Sequence, residues 1–90
     1  MSNATMTPQG GITMENAGGQ LHAIQWPASG DVVIDLAQVG AVDSAAVSVL
    51  LHWQREARRR QLRLQLAHVP LALQELIRLY GVQTLLPASA

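Results

Sequence analysis

The chain contains no cysteine and no lysine, and only one Tyr and two Trp among its 90 residues. Without Cys, disulfides, thiolate metal sites and a Cys nucleophile are excluded. Without Lys there is no GxxxxGK[ST] phosphate loop, and neither Gly10-Gly11 nor Gly18-Gly19 matches one. The sparse aromatics supply no interleaved stacking platform, which argues against nucleic acid as a partner. Net charge is zero, so the chain as a whole has no attraction for polyanions. No apolar run approaches the roughly 20 residues that span a bilayer. The N-terminus lacks a basic stretch followed by an apolar core, so no signal peptide is expected and the cytoplasm is the default location. His22, His52 and His68 fall on three separate segments, without HxxxH or HExxH spacing. They read as surface or capping residues, and no metal or other cofactor is expected.

What is present is a chain that is 49% apolar, enough for one domain with a single modest core. Its centre is Asp35–Leu51. Val32, Val33, Ile34 and Leu36 form a β-branched apolar run of strand length. Gln38 and Gly40 interrupt it, and Val42-Asp43-Ser44 then leads into a segment in which Ala46, Val49, Leu50, Trp53 and Ala57 recur at helical spacing. The pattern predicts a central strand over 31–36, in a parallel sheet that covers it on both faces, and a helix from Ser44 to about Arg60. Arg58, Arg59 and Arg60 give that helix a C-terminus of the favourable sign.

The flanking segments are assigned in the same way. Met1-Ser2-Asn3-Ala4 reads as an expression scar outside the fold, so residues 1–9 are taken as a tag remnant with a short edge segment. Thr5–Thr7 and Gly10–Thr13 read as two short strands, the first confined to an edge by Pro8. A weak helix is expected from Thr13 to Gln25, followed by a loop over 26–30. Leu62, Leu64 and Leu66 alternate with Arg63 and Gln65 as a strand does. Pro70 opens a last helix whose buried face is Val69, Leu73, Leu76, Ile77 and Tyr80, and Gly81 closes it in the left-handed conformation. Val82, Leu85 and Leu86 are expected to pack back, with Pro87 ending the fold and 88–90 a tail. The order β-β-α-β-α-β-α predicts an α/β layer with a mostly parallel sheet of four or five strands and three helices, the second the longest.

Two features invite a functional reading. Asp43 and Ser44 are both good N-cap residues, and Ser44 needs no other role than capping. A hydroxyl at the positive end of a helix is also a candidate for phosphorylation or partner contact. It is no hydrolase nucleophile, since no G-x-S-x-G elbow surrounds it and no acid–histidine pair is placed to complete a triad. The second feature is Arg55, Arg58, Arg59, Arg60 and Arg63, five of the six basic residues. They read either as a solvated helix end partly paired with Glu56 or as a contact surface for an acidic partner or lipid headgroups.

Asp35-Leu36-Ala37 and Val42-Asp43-Ser44-Ala45-Ala46-Val47 resemble the two central motifs of STAS domains, a strand ending in D-L/V-S and a helix opening on V-D-S/T-G/A-G/A-L. The resemblance is closest to the MlaB type, the STAS subunit of the Mla phospholipid ABC transporter. Gly11-Ile12-Thr13, Leu50–Ala57 and the stretch LIRLYGVQTLLP from Leu76 to Pro87 extend it over about residues 10–87, the expected STAS domain. In the anti-sigma factor antagonist branch, the phosphorylated hydroxyl stands two residues after the Asp. That position is Ala45 here, whereas Ser44 matches the Thr or Ser that MlaB-type chains carry directly after the Asp.

The resemblance implies a small STAS-like α/β layer and a non-enzymatic module. The module would bind and stabilise or regulate the ATPase of an ABC-type phospholipid transport complex maintaining outer-membrane lipid asymmetry. It would be cytoplasmic and touch the membrane only indirectly, through the transporter, with self-association into a homodimer left open. The implied contact residues are Asp43, Ser44, Ala45, Ala46, Val47, Ser48 and Leu51, with Arg55 at the rim. The alternative is an anti-sigma factor antagonist bound to a kinase-like anti-sigma factor.

Overall fold

The computed structural model describes residues 3–86. Its elements, in chain order, are β1 (Asn3–Met6), β2 (Gly10–Ile12), α1 (Ala17–Leu21), β3 (Asp31–Asp35), β4 (Val39–Val42), α2 (Ser44–Arg59), β5 (Arg63–Ala67), α3 (Leu71–Leu79) and a 3₁₀ turn at Gln83–Leu85. The α/β layer, the parallel strands and the three helices agree with the expectation, and α2, at 16 residues, is the longest.

The five strands form two sheets rather than one. β3 lies between β1 and β5, parallel to both, with Val32 opposite Ala4 and Leu64, and Ile34 opposite Met6 and Leu66. Val32 and Ile34 are fully buried, while Val33, pointing the other way, is half-buried. The strand is therefore sealed on one face only, where equal cover on both was expected. β2 and β4 make the second, two-stranded parallel sheet. β4 was not expected, because Gln38 and Gly40 read as breakers. Val39 is nonetheless buried, and the segment pairs with β2 through a register shift between Gly10 and Ile12. A Cβ on Gly11 would stand 3.0 Å from the Ala41 carbonyl oxygen, so the two strands approach this closely only because position 11 has no side chain.

Other boundaries shift for identifiable reasons. Asn3 and Ala4, set aside as a scar, belong to β1 and pair with Asp31 and Val32. α1 covers only Ala17–Leu21 instead of Thr13–Gln25. Asn16 draws the preceding residues into a turn, with its Oδ1 accepting from Thr13 N (2.7 Å) and its amide donating to the Gly11 carbonyl. Pro70 is the N-cap of α3 rather than its first helical residue. Gly81, at φ +68°, ends that helix as expected, with Val82 N bonded to the Ile77 carbonyl and Gly81 N to the Arg78 carbonyl. Tyr80 and Leu85, expected inside, are exposed, while Leu86 is buried and Val82, half-buried, packs against the core as expected. Pro87 and the tail lie outside the described residues.

The core joins Val32, Ile34, Leu36, Leu64 and Leu66 to the inner stripe of α2, which is Ala46, Val49, Leu50, Trp53 and Ala57. Ile12, Ile24, Leu62, Leu73, Ile77 and Leu86 extend it. Trp53 is fully buried, and its indole N–H donates to the Gln20 carbonyl at 3.2 Å, satisfying the one polar atom of the ring and tying α1 to α2.

Candidate functional site

The start of α2 is held by Asp43. Its backbone is extended (φ −140°, ψ −166°), and Oδ1 accepts the Ala45 N–H at 2.8 Å, filling one of the helix's orphan donors. Oδ2 accepts the Met14 N–H at 3.1 Å, 29 residues away, so the same carboxylate pins the loop before α1 against the helix end. Asp43 is thus the cap. Ser44 is the first helical residue, and its exposed hydroxyl bonds no histidine or carboxylate among the described residues.

A shallow open groove of about 490 Å³ runs from this helix start, lined by Met14, Ser44, Ala45, Val47, Ser48, Leu51, Tyr80 and Val82. Ser44, Val47, Ser48 and Leu51 stand at i, i+3, i+4 and i+7, one continuous face of α2. Ser44 and Ser48 are exposed, Leu51 is half-buried, and Val47 is nearly buried at the floor. Ala46, on the opposite side of the helix, is fully buried in the core, and Arg55 is exposed one turn beyond the groove.

Of the residues singled out in the sequence, five therefore share the groove, while Asp43 positions it and Ala46 supports it from behind. Met14, Tyr80 and Val82 were missed as members. Met14 is 78% exposed and Tyr80 52%, so the groove has two large, open apolar walls. The left-handed Gly81 sets the direction in which Tyr80 and Val82 leave α3, and the L-Y-G run was the one sequence signal for that wall.

The remaining candidates stand elsewhere. His68 Nδ1 lies 3.0 Å from Asp35 Oδ1 at the end of β3. The Ala37 backbone N–H, and after it His68, hold the Asp35 carboxyl below its usual range. His22 and His68 are exposed and His52 is half-buried. Among the described residues no three His, Asp or Glu side chains converge as a metal site would require. No helix among them is long and apolar enough to cross a membrane. The arginines of the 55–63 segment are all exposed, Arg59 and Arg60 bonding to Glu56.

Comparison with known proteins gives the same frame. A crystal structure of a sulfate transporter family protein from Wolinella succinogenes superimposes with a TM-score of 0.69 at 17% identity, over 91% of this chain and 69% of that one. At that identity the likeness is one of fold. No curated protein matches the sequence. The family model described as the Mlab, STAS domain matches residues 9–87, taking in all three helices, the strands from β2 onward and the groove, with β1 lying before the match. The chain belongs to the MlaB STAS-domain family.

Proposed function

We propose that the chain is a non-catalytic STAS subunit that docks on the ATPase of an ABC-type phospholipid transport complex, at the cytoplasmic face of the inner membrane. There it stabilises that ATPase or tunes its activity, in a system that maintains outer-membrane lipid asymmetry. The observation that carries this reading is the groove along the first two turns of α2. Its floor is apolar, Tyr80 and Met14 stand open on its walls, and the two serines on its rim are short enough for a partner backbone to approach. An exposed aromatic beside a hydrophobic floor is the usual anchor of a protein contact. Among the described residues no base is bonded to the Ser44 hydroxyl to activate it, which favours recognition over chemistry.

The test is capture of the ATPase subunit from co-expressing cells by the parent chain, Ser44→Glu and Tyr80→Ala. Ser44→Glu should keep a cooperative melt, since a carboxylate suits the first turn of a helix. It should nevertheless lose the ATPase, because docking would bury an unpaired charge. Tyr80→Ala, an exposed truncation, should melt as the parent does and also bind weakly. Equal capture by all three chains would place the contact elsewhere. Capture of a kinase-like anti-sigma factor instead would establish the antagonist reading. Nucleotide hydrolysis or ester cleavage by the purified chain, lost on Ser44→Ala, would end the non-catalytic one.

A further inference from the structure

The far end of α2 has a different character. Arg55, Arg58, Arg59, the C-cap Arg60 and, at the start of β5, Arg63 are all exposed, and the segment contains one acid, Glu56. Glu56 receives Arg59 and, at 3.0 Å, Arg60. Arg55, Arg58 and Arg63 form no ion pair among the described residues. Asp31 on the adjacent strand stands opposite Arg63 in register. A chain of zero net charge thus carries an excess of four positive charges on one short segment, balanced by an excess of four negative charges on the rest. The loop that borders the segment contributes Trp26, half-buried, with the Arg60 guanidinium 5.6 Å from its ring centre. Arg63 N donates to the Gly30 carbonyl, which ties that loop to the basic strand end.

We infer that this arginine end is a contact surface for anionic lipid headgroups. Cores of protein interfaces are depleted in charge and rich in apolar side chains. Here the large exposed apolar side chains, Met14, Leu71, Leu79, Tyr80 and Leu85, all lie outside the basic segment. What remains is a dense set of guanidinium forks, suited to phosphate oxygens, beside a tryptophan, the residue enriched at membrane–water boundaries. A cluster of four to eight basic residues is the composition that an anionic bilayer surface attracts. Arg58 to Arg63 stand roughly 21 Å or more from Ser44 along the chain of α2, so the groove and the arginine end lie at opposite ends of the helix, with Arg55 between them.

The experiment is co-sedimentation of the full chain with vesicles of phosphatidylglycerol and phosphatidylcholine in equal parts, and with phosphatidylcholine alone. Trp26 fluorescence serves as a second signal, because Trp53 is fully buried. The expected result is partition into the anionic vesicles only, falling as salt is raised, and weakened about 25-fold in the double variant R58Q/R63Q, or about five-fold per arginine. Both positions are exposed, so that variant should melt as the parent does; should it not, the salt dependence of the parent chain decides. Equal partition into uncharged vesicles, partition indifferent to salt, or a folded R58Q/R63Q that binds like the parent would each overturn the inference. So would tighter binding to polyglutamate than to the anionic vesicles at matched charge and ionic strength, which would assign the surface to an acidic protein.

Discussion

At the scale of single residues, the site depends on how one carboxylate is shared. Asp43 spends one oxygen on its own helix and the other on Met14 N, so it caps α2 and closes one end of the groove together. Asp43→Ala is expected to lower stability in urea by about 1–2 kcal/mol and to expose the Met14 amide to rapid hydrogen exchange. Ser44→Ala is expected to change stability by no more than about 0.5 kcal/mol, as for an exposed residue outside any cap. Equal losses for the two variants would make Ser44 a partner in the cap. The sequence placed the cap within two residues and left the choice between them open. The bond from Ala45 N to Asp43 Oδ1 makes that choice, and the second bond of the same carboxylate, to Met14 N across 29 residues, is one that local preference does not encode. Ser48 and Leu51 were legible as groove members because they share a helical face with Ser44. Met14 and Tyr80 were not, since their exposure follows from how a loop and a helix end are turned toward α2.

At the scale of elements, helical periodicity was the surest guide and short strands the poorest. The apolar stripe of α2 repeats over 16 residues and fixes the buried face without help from the rest of the chain. β4 has four residues, one of them glycine, and exists because Ile12 and Gly11 bring β2 alongside it. α2 also carries the clearest acid-sensitive contact. Glu56 is held at about 2, against an ordinary 4.5, first by its hydrogen bond from Arg59 and also by Arg60. A carboxylate depressed in this way contributes stability that is complete above its unfolded value of 4.5 and is lost as pH falls through the folded value near 2. The C-terminal turn of α2 should therefore loosen between those two values. Glu56→Gln should flatten the acid-side decline in melting temperature over that interval while leaving the neutral-pH fold intact. An acid limb of the same slope in the variant would assign the loss to other carboxylates, Asp35 first among them.

At the scale of the whole molecule, the arrangement of strands decides how much of the N-terminus the fold needs. β3 is central because β1 covers one of its edges and β5 the other. Residues 3 and 4 looked dispensable in sequence, being small, polar or weakly apolar, and far from any motif. Their role is set by position: the four residues of β1 pair along Asp31–Ile34, and Pro8, which follows, is buried. Removing residues 1–6 would leave β3, the most apolar strand, as an open edge with unpaired amides, a template for pairing with another chain. The truncated chain is expected to lose on the order of 2 kcal/mol, as the lost ladder hydrogen bonds are only partly offset by the ordering entropy recovered. It should also scatter light on heating where the full chain does not. Hydrogen exchange locates the effect. Amides of Val32–Ile34 should lose protection in the truncated chain while those of α2 and β5 keep most of theirs. Uniform loss across the molecule would mean that β1 belongs to one cooperative unit with the core. Unchanged protection at β3 would mean that the edge is covered by something other than β1.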